Sequence, residues 1–236
     1  MADLSDLLND PTLEAMKRNA ATQKAREPRR HYLGASSVGH ICERHIWLDL
    51  QGQAGVSMSW KGAWATEDGH RTEDLIIERL QSVPGVTVTD RQSGFSDMDG
   101  KFKGHIDGII IGILQSPGTP HLLEIKCCNE TKFNKLVKLV KENGEKAALE
   151  AWDVQFYAQA QVYMLKFGLT RHYLVCATPG GRDVTSCRTE FNQERAKTYL
   201  SKAQRIINAR QAPERIGTNK DFYICRLCSH HQDCWK

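Results

Sequence analysis

The chain has 236 residues, of which 40% are hydrophobic and 25% charged, a composition typical of a globular domain with its own core and not of a disordered chain. The formal net charge of +4 permits binding to nucleic acid without demonstrating it. No apolar run is long enough to span a bilayer, and the acidic N-terminus is unlike a signal peptide, so we expect a soluble intracellular protein without a membrane segment.

Residues 1 to 30 predict an N-terminal helix followed by a basic arm. The helix is indicated by apolar residues at helical spacing, namely Leu4, Leu7, Leu8, Leu13 and Met16. The arm runs from residue 24 to residue 30 and carries a basic cluster that either contacts phosphates or is simply solvated. Both interpretations stay open.

The next segment predicts a helix that begins close to a cysteine. Ser36 or Ser37 is placed to cap this helix, whose apolar side carries Ile41, Ile46, Trp47 and Leu50. Cys42 lies near its start. A lone cysteine is more often a small buried hydrophobe than a ligand, so any metal role of Cys42 depends on the cysteines elsewhere in the chain.

A longer helix is predicted over residues 60 to 80, from the spacing of its apolar residues. It contains Glu73 and, three residues earlier, His70. These two are either metal ligands or ordinary polar residues on a helix surface. A strand over residues 86 to 89 and a turn-rich stretch over residues 93 to 100 follow.

Two apolar runs, at residues 104 to 111 and 121 to 127, predict neighbouring strands joined by a Pro- and Gly-containing turn. Asp107 interrupts the first strand. In the second, the period of two residues places Glu124 and Lys126 on one face and Leu123 and Ile125 on the other. A buried acid is costly unless something pairs with it, and a divalent cation shared by Asp107 and Glu124 would do so.

This trio suits phosphodiester hydrolysis. Two carboxylates hold Mg²⁺ or Mn²⁺, which polarises the phosphate and lowers the pKa of a bound water. Lys126 either orients or deprotonates that water, or stabilises the charged phosphate. The alternative is a hairpin that carries an unremarkable surface glutamate and lysine.

The second half of the chain predicts further helices and strands. A lysine-rich amphipathic helix covers residues 131 to 144, and its Lys132 and Lys135 either line a DNA groove or are solvated. One helical run covers residues 148 to 167 and carries Gln159 and Tyr163. Strands are predicted at 171 to 178 and 185 to 191, with a turn between them, and a helix at 193 to 209. We predict that four cysteines are ordinary strand residues, namely Cys127, Cys128, Cys176 and Cys187.

The C-terminal segment carries Cys225, Cys228 and Cys234, a Cys-x2-Cys-x5-Cys pattern that is hard to explain as packing. Three thiolates need a fourth ligand to complete a metal centre. Cys42 would complete a four-cysteine set, whereas His230 or His231 would complete a local zinc site.

Asp107 followed by Glu124-Ile125-Lys126 resembles the PD-(D/E)xK nuclease signature. Its glycine-flanked aspartate is similar to that of the RecB- and YqaJ-type exonuclease branch. Other elements of that branch occur in consistent order: Cys42, Gly69-x3-Glu73, Gln159-x3-Tyr163 and the three C-terminal cysteines. The resemblance implies an α/β, restriction-endonuclease-like core over residues 31 to 215, with a central mixed sheet flanked by helices. A C-terminal segment, 216 to 236, would be joined to the Cys42 region by a metal cluster.

The same resemblance implies the roles of individual residues. Glu73, Asp107, Glu124 and the backbone carbonyl of Ile125 would surround Mg²⁺ or Mn²⁺, with His70 as second choice. Lys126 would assist the water, with Gln159 and Tyr163 beside it. Cys42, Cys225, Cys228 and Cys234 would hold an iron–sulfur cluster of the 4Fe-4S type, with zinc as the alternative. Candidate DNA contacts are Arg44, Lys132 and Lys135.

The function expected from the resemblance is a metal-dependent DNA exonuclease acting from single- or double-stranded ends, in recombination, repair or phage DNA processing. Its expected setting is the cytoplasm of a bacterium or a phage-infected cell, with a single-strand annealing or other recombination protein as a candidate partner. Two alternatives stay open. One is a non-catalytic nucleic-acid-binding module with a zinc or iron–sulfur site, and the other is a site-specific endonuclease on the same fold.

Overall fold

The computed structural model describes residues 10–28, 30–53 and 55–236. Leu4, Leu7 and Leu8 of the predicted N-terminal helix therefore lie outside the described residues. The helices are α1 Pro11–Arg26, α2 Glu43–Leu50, α3 Trp60–Gln81, α4 Glu130–Asn143, α5 Glu145–Trp152, α6 Val154–Phe167, α7 Gln193–Asn208, α8 Tyr223–Arg226 and α9 His231–Cys234. The strands are β1 Leu33–Gly34, β2 Thr87–Thr89, β3 Gly94–Asp97, β4 Phe102–His105, β5 Gly108–Ile111, β6 His121–Cys127, β7 Arg171–Ala177 and β8 Val184–Glu190.

The strands form two sheets. The larger sheet has the order β2-β5-β6-β7-β8, in which β6 and β7 pair in parallel and the other neighbours are antiparallel. The smaller sheet has the order β1-β4-β3. The larger sheet is thus mixed, and helices cover it on both faces, which confirms the predicted α/β fold class.

Alternation along β6 sends neighbouring side chains into two separate cores. Leu122 packs with the apolar residues of α4 to α7, whereas Leu123 and Ile125 pack with Ile76 and Ile77 of α3. The predicted facing of β6 is therefore confirmed, since Leu123 and Ile125 lie on one face and Glu124 and Lys126 lie on the other, together with Leu122.

The stretch predicted as one strand over residues 104 to 111 is in fact two strands in different sheets. β4 ends at His105 and β5 begins at Gly108, and Asp107 lies in the gap between them. The Ile106 N–H donates to the Ser93 carbonyl, 2.9 Å away, instead of joining a ladder. A run of mainly apolar residues does not by itself reveal this crossing from one sheet to the other.

Residues 93 to 100, predicted as turn-rich, contain a strand. β3 pairs antiparallel with β4, and Met98 and Asp99 make the connecting turn with positive φ angles of 52° and 55°. The strand was missed because its sequence, Gly94-Phe95-Ser96-Asp97, is rich in turn-forming residues, and pairing with β4 outweighs that preference.

The helical run predicted over residues 148 to 167 breaks at Asp153. This residue has an extended backbone (φ −156°), and its carboxylate accepts hydrogen bonds from the N–H groups of Gln155 and Phe156. The side chain thus supplies the N-cap of α6, which competes with continuation of α5.

The predicted capping of α2 by Ser36 or Ser37 is wrong. These two serines belong to a short 3₁₀ turn, and α2 begins later, with Cys42 at its N-cap position and no side-chain cap. Ile41, expected on the apolar side of the helix, precedes it and is 64% exposed.

Helix α1 forms as predicted, but it buries none of its residues. Leu13 and Met16, predicted to form its apolar side, are about half exposed, at 47% and 48%. Among the helices of the described residues, none combines the length and the apolarity needed to cross a membrane.

Candidate active site and cysteine cluster

One cleft of about 590 Å³ collects the side chains predicted to be catalytic. It is lined by residues of α3, β4, β6 and α6 together with the gap between β4 and β5. The predicted residues that line it are His70, Glu73, Asp107, Glu124, Lys126, Gln159 and Tyr163. The sequence therefore identified the acidic centre of this cleft.

Glu124 lies at the bottom of the cleft and is 4% exposed. Its Oε1 atom accepts hydrogen bonds from the Lys126 ammonium and, at 3.0 Å, from the Gln159 amide. Its Oε2 atom is buried and has no hydrogen-bond partner among the described residues. Burial and the neighbouring Asp107 carboxylate raise the pKa of Glu124 to about 7. An unpaired buried carboxylate oxygen of this kind fits a metal ligand.

Asp107 and Glu73 add two more carboxylates. The Asp107 Oδ2 atom accepts the Ile125 N–H at 2.7 Å, which fixes this carboxylate against β6. Glu73 accepts a hydrogen bond from the Gln92 amide at 2.7 Å. Burial raises the pKa of both acids, and the proximity of Asp107 raises that of Glu73 further. Crowded acids of this kind favour a cation that neutralises them.

Lys126 carries its charge in this site. Burial alone would lower the pKa of Lys126, but the carboxylates of Glu124 and Asp107 outweigh burial and raise it. The side chain donates a hydrogen bond to Glu124 Oε1. The roles predicted for Lys126, which are orientation or deprotonation of the water and stabilisation of the phosphate, stay predictions.

The three acids face one cleft but are not drawn into a tight cluster. Within the described residues, only His45, Asp49 and His230 bring three ligand atoms within 4.8 Å of one another. Glu124 is turned toward Lys126 instead. His70 is exposed on α3 and lines the cleft beside Glu73. The predicted ligand roles of His70 and of the Ile125 carbonyl stay predictions.

Helix α6 brings Gln159 and Tyr163 to the cleft one turn apart. The Gln159 Oε1 atom is buried without a partner among the described residues. Tyr163 lies against Gly104 of β4, where an added Cβ would come within 2.5 Å of the Tyr163 Cε1 atom. The absence of a side chain at Gly104 thus allows the ring to approach the strand.

The predicted DNA contacts make internal contacts in this structure. Lys132 pairs with Asp153 at 2.7 Å, Lys135 donates to the Trp152 carbonyl, and Arg44 donates to the Pro213 carbonyl. Other cations line the cleft, namely Arg30, Arg91 and Lys103. Only Arg30 was noted from the sequence, as part of the basic arm. The other two come from separate turns and strands, and no local pattern marks them.

A second cavity, of about 430 Å³, collects the four predicted cluster cysteines. Cys42, Cys225, Cys228 and Cys234 all line it, although Cys42 is more than 180 residues distant in sequence from the other three. Burial raises the pKa of the Cys228 thiol, and the nearby thiols of the other three raise it further. In the described residues, no three of these sulfurs lie within 4.8 Å of one another.

Four thiols that line one cavity fit either an iron–sulfur cluster or a four-cysteine zinc site. His230 and His231, the alternative zinc ligands, also line the cavity. The His230 ring, however, contacts Asp49 at 2.7 Å, and the His231 ring contacts the Lys220 carbonyl at 3.1 Å.

Solved structures with the same fold include nucleases. The structure of SSO0001 matches with a TM-score of 0.51 at 14% identity and covers 94% of this chain and 95% of that chain. An alkaline exonuclease (LHK-Exo) from Laribacter hongkongensis matches with a TM-score of 0.52 at 16% identity, covering 80% of this chain and 90% of that one. The same exonuclease in complex with dAMP matches with a TM-score of 0.50 at 17% identity, over 76% and 87% of the two chains.

A comparison with curated proteins finds no match to this sequence. The family model described as the YqaJ-like viral recombinase domain matches residues 26–168. That range includes all the acids of the cleft, Lys126, Gln159 and Tyr163, and it ends before the three C-terminal cysteines. The predicted resemblance to the YqaJ-type branch is thereby confirmed, and the chain belongs to the YqaJ-like viral recombinase domain family.

Proposed function

We propose that the protein is a DNA exonuclease that requires Mg²⁺ or Mn²⁺ and hydrolyses phosphodiester bonds from DNA ends during recombination, repair or phage DNA processing. Family membership and a fold shared with a solved exonuclease support this proposal. The observation that carries it is the buried, unpaired Glu124 Oε2 atom in a cleft that also contains Asp107, Glu73 and Lys126.

Each cleft residue has a role that follows from its contacts. Glu73, Asp107 and Glu124 would hold the cation, which when bound polarises the phosphate and lowers the pKa of a water. The Ile125 N–H orients Asp107, and the Gln159 amide orients Glu124. The Lys126 ammonium offers a positive charge to the phosphate as it becomes more negative.

The remaining cations of the cleft suit a polyanionic substrate. Arg30 and Lys103 would contact phosphates of the bound strand, and Arg91 would do so after leaving its partner Asp74. These contacts would weaken as salt is added. The predicted contribution of Arg44, Lys132 and Lys135 requires them to leave their internal partners. The proposed setting is the cytoplasm of a bacterium or phage-infected cell, and a recombination protein such as an annealing protein is a proposed partner.

Degradation of end-labelled DNA tests this function. Linear single-stranded and double-stranded DNA and a covalently closed circle are incubated with the protein and Mg²⁺ or Mn²⁺. We expect the unaltered protein to degrade linear DNA and spare the circle, Asp107→Asn to be inactive, and Asp99→Asn, in the exposed turn between β3 and β4, to retain full activity. Cleavage of the circle would instead identify an endonuclease. Salt-sensitive binding without hydrolysis under either metal would identify a non-catalytic binding module.

We further propose that Cys42, Cys225, Cys228 and Cys234 hold a 4Fe-4S cluster that fastens the C-terminal segment to α2. Their shared cavity and the match to the Cys spacing of the resembling nucleases support this proposal. Protein purified without oxygen should show the broad visible absorbance of such a cluster and contain iron and sulfide. Colourless protein that contains stoichiometric zinc would favour the zinc alternative instead.

A further inference from the structure

A group of metal-ligating side chains lies beside the cysteines but uses none of their sulfurs. His45 and Asp49 are four residues apart on α2, so they share one face of the helix. His230 comes from the connection between α8 and α9 in the C-terminal segment. The ligand atoms of these three residues all lie within 4.8 Å of one another, the one such group among the described residues.

The contacts within the group point its nitrogens at the carboxylate. The Nε2 atom of His230 lies 2.7 Å from Asp49 Oδ1, and that of His45 lies 3.3 Å from Asp49 Oδ2. His230 is 1% exposed, and its Nδ1 atom has no hydrogen-bond partner in the described part of the chain. Asp49 is 55% exposed, so the group is open to solvent on one side.

The remaining nitrogen of His45 makes a contact that is compatible with metal binding through Nε2. Its Nδ1 atom lies 3.3 Å from the Cys228 sulfur, within reach of a hydrogen bond. If Nδ1 carries the proton and donates it to the sulfur, the lone pair of Nε2 faces Asp49 and His230. This arrangement, in which one ring nitrogen is held by a hydrogen bond and the other binds, is the usual one for histidine ligands.

We propose that His45, Asp49 and His230 bind one first-row divalent cation of the zinc class, at a site separate from the four cysteines. Two imidazoles and one carboxylate suit zinc, cobalt or nickel, and the exposed side leaves a position for water. The ion would join α2 to the C-terminal segment directly. It differs from the zinc alternative considered above, in which a histidine completes a cysteine site.

A crystal structure of the unaltered full-length chain, grown with Co²⁺, tests the location of the site. We expect an anomalous difference peak at about 2.0–2.2 Å from the Nε2 atoms of His45 and His230 and from an Asp49 oxygen. A map with Co²⁺ peaks only among the cysteines or in the acidic cleft, and none among these three residues, would refute the proposal.

Cobalt spectroscopy of variants tests the ligands independently. Asp49→Asn preserves size but removes a charged ligand, and Asp99→Asn, the same change in the exposed turn between β3 and β4, is the matched control. We expect Asp49→Asn to weaken one class of Co²⁺ site by about tenfold or more, and Asp99→Asn to leave that class unchanged.

The Co²⁺ absorption that is present in the unaltered protein and lost in Asp49→Asn should consist of visible ligand-field bands. It should include no near-ultraviolet charge-transfer band, because the site has no thiolate. Circular dichroism verifies that each variant is folded, and the crystal experiment does not depend on any variant. Identical Co²⁺ binding by the unaltered protein and Asp49→Asn, or loss of a thiolate band, would contradict the proposal.

Discussion

Glu124 is buried in the acidic cleft, and the effect of its ionisation on stability has a definite sign. Its pKa is raised from 4.5 to about 7, so the folded protein keeps this proton to higher pH than the unfolded chain does. The stability of the metal-free protein is therefore expected to fall as the pH rises from about 4.5 to about 7. The raised pKa values of Asp107 and Glu73 act in the same direction.

Glu124→Gln removes this ionisation and keeps the size of the side chain. We expect the stability of this variant relative to the unaltered protein to increase across the same pH interval, as measured by urea unfolding in the presence of a chelator. Glu142→Gln, at an exposed position of α4, is the control and should show no such trend. A difference between Glu124→Gln and the unaltered protein that does not change with pH would show that Glu124 ionises normally.

Gly104 controls the position of Tyr163 in the cleft. In Gly104→Ala, the new Cβ would lie 2.5 Å from Tyr163 Cε1 and 2.7 Å from its hydroxyl oxygen, so the ring has to move. We expect the rate of DNA degradation to fall by about tenfold to a hundredfold, since small displacements of site residues are costly. Gly118→Ala, which meets no atom within 4 Å, should have an unchanged rate. An unchanged rate in Gly104→Ala as well would mean that activity does not depend on where Tyr163 lies.

At the level of residues, the sequence predicted which side chains lie together when they are close in sequence on one strand or one helix. The period of β6 alone places Glu124 and Lys126 together, and one helical turn places Gln159 with Tyr163. It did not predict Arg91, Gln92 or Lys103, because their approach to the cleft depends on the chain path through β3 and β4. Gln92, for example, adopts a positive φ of 56°, which its residue type does not suggest.

At the level of elements, Asp153 determines where α6 begins and so where Gln159 and Tyr163 lie. Asp153→Ala removes the N-cap of α6 and the ion pair with Lys132. We expect a loss of about 0.5–2 kcal/mol in the free energy of unfolding, measured with urea. Asp10→Ala removes a similar cap from α1, but α1 buries no residue, so global stability should hardly change. Equal losses in the two variants would show that capping acts locally, without regard to what the helix packs against.

Asp153 also shows why the ends of helices were harder to predict than the presence of helices. The apolar periodicity of α5 and α6 is nearly continuous, and the break comes from one aspartate that binds two backbone N–H groups. Helices α3, α4 and α7 have no such interruption, and their predicted ranges agree with the structure to within one or two residues.

At the level of the whole molecule, the C-terminal part of the chain packs against α2. Trp47 donates to the Ala209 carbonyl at 3.0 Å, and His230 contacts Asp49 across the same junction. Periodicity does not predict contacts over such a distance in sequence. The pairing of Cys42 with the C-terminal cysteines was one of two alternatives until the family resemblance favoured it, and the mixed sheet was expected from that resemblance as well.

The packing of the C-terminal segment against α2 predicts that a change at Cys42 affects residues far from it in sequence. If a cluster fastens the C-terminal segment, Cys42→Ser should lose iron and increase amide hydrogen exchange in residues 216 to 236. Cys127→Ser, whose cysteine lies at the end of β6 and outside the cavity, should keep both iron and protection. Normal iron content in Cys42→Ser would exclude Cys42 as a ligand.

The central claim is that the carboxylates of the cleft hold a divalent cation together. Titration calorimetry with Mn²⁺, without DNA, tests this most directly on the unaltered protein, Asp107→Asn and the control Asp99→Asn. We predict that the unaltered protein and Asp99→Asn bind Mn²⁺ equally and that Asp107→Asn binds at least about tenfold more weakly. Equal binding by all three proteins, or no binding by the unaltered protein at millimolar Mn²⁺, would contradict the account.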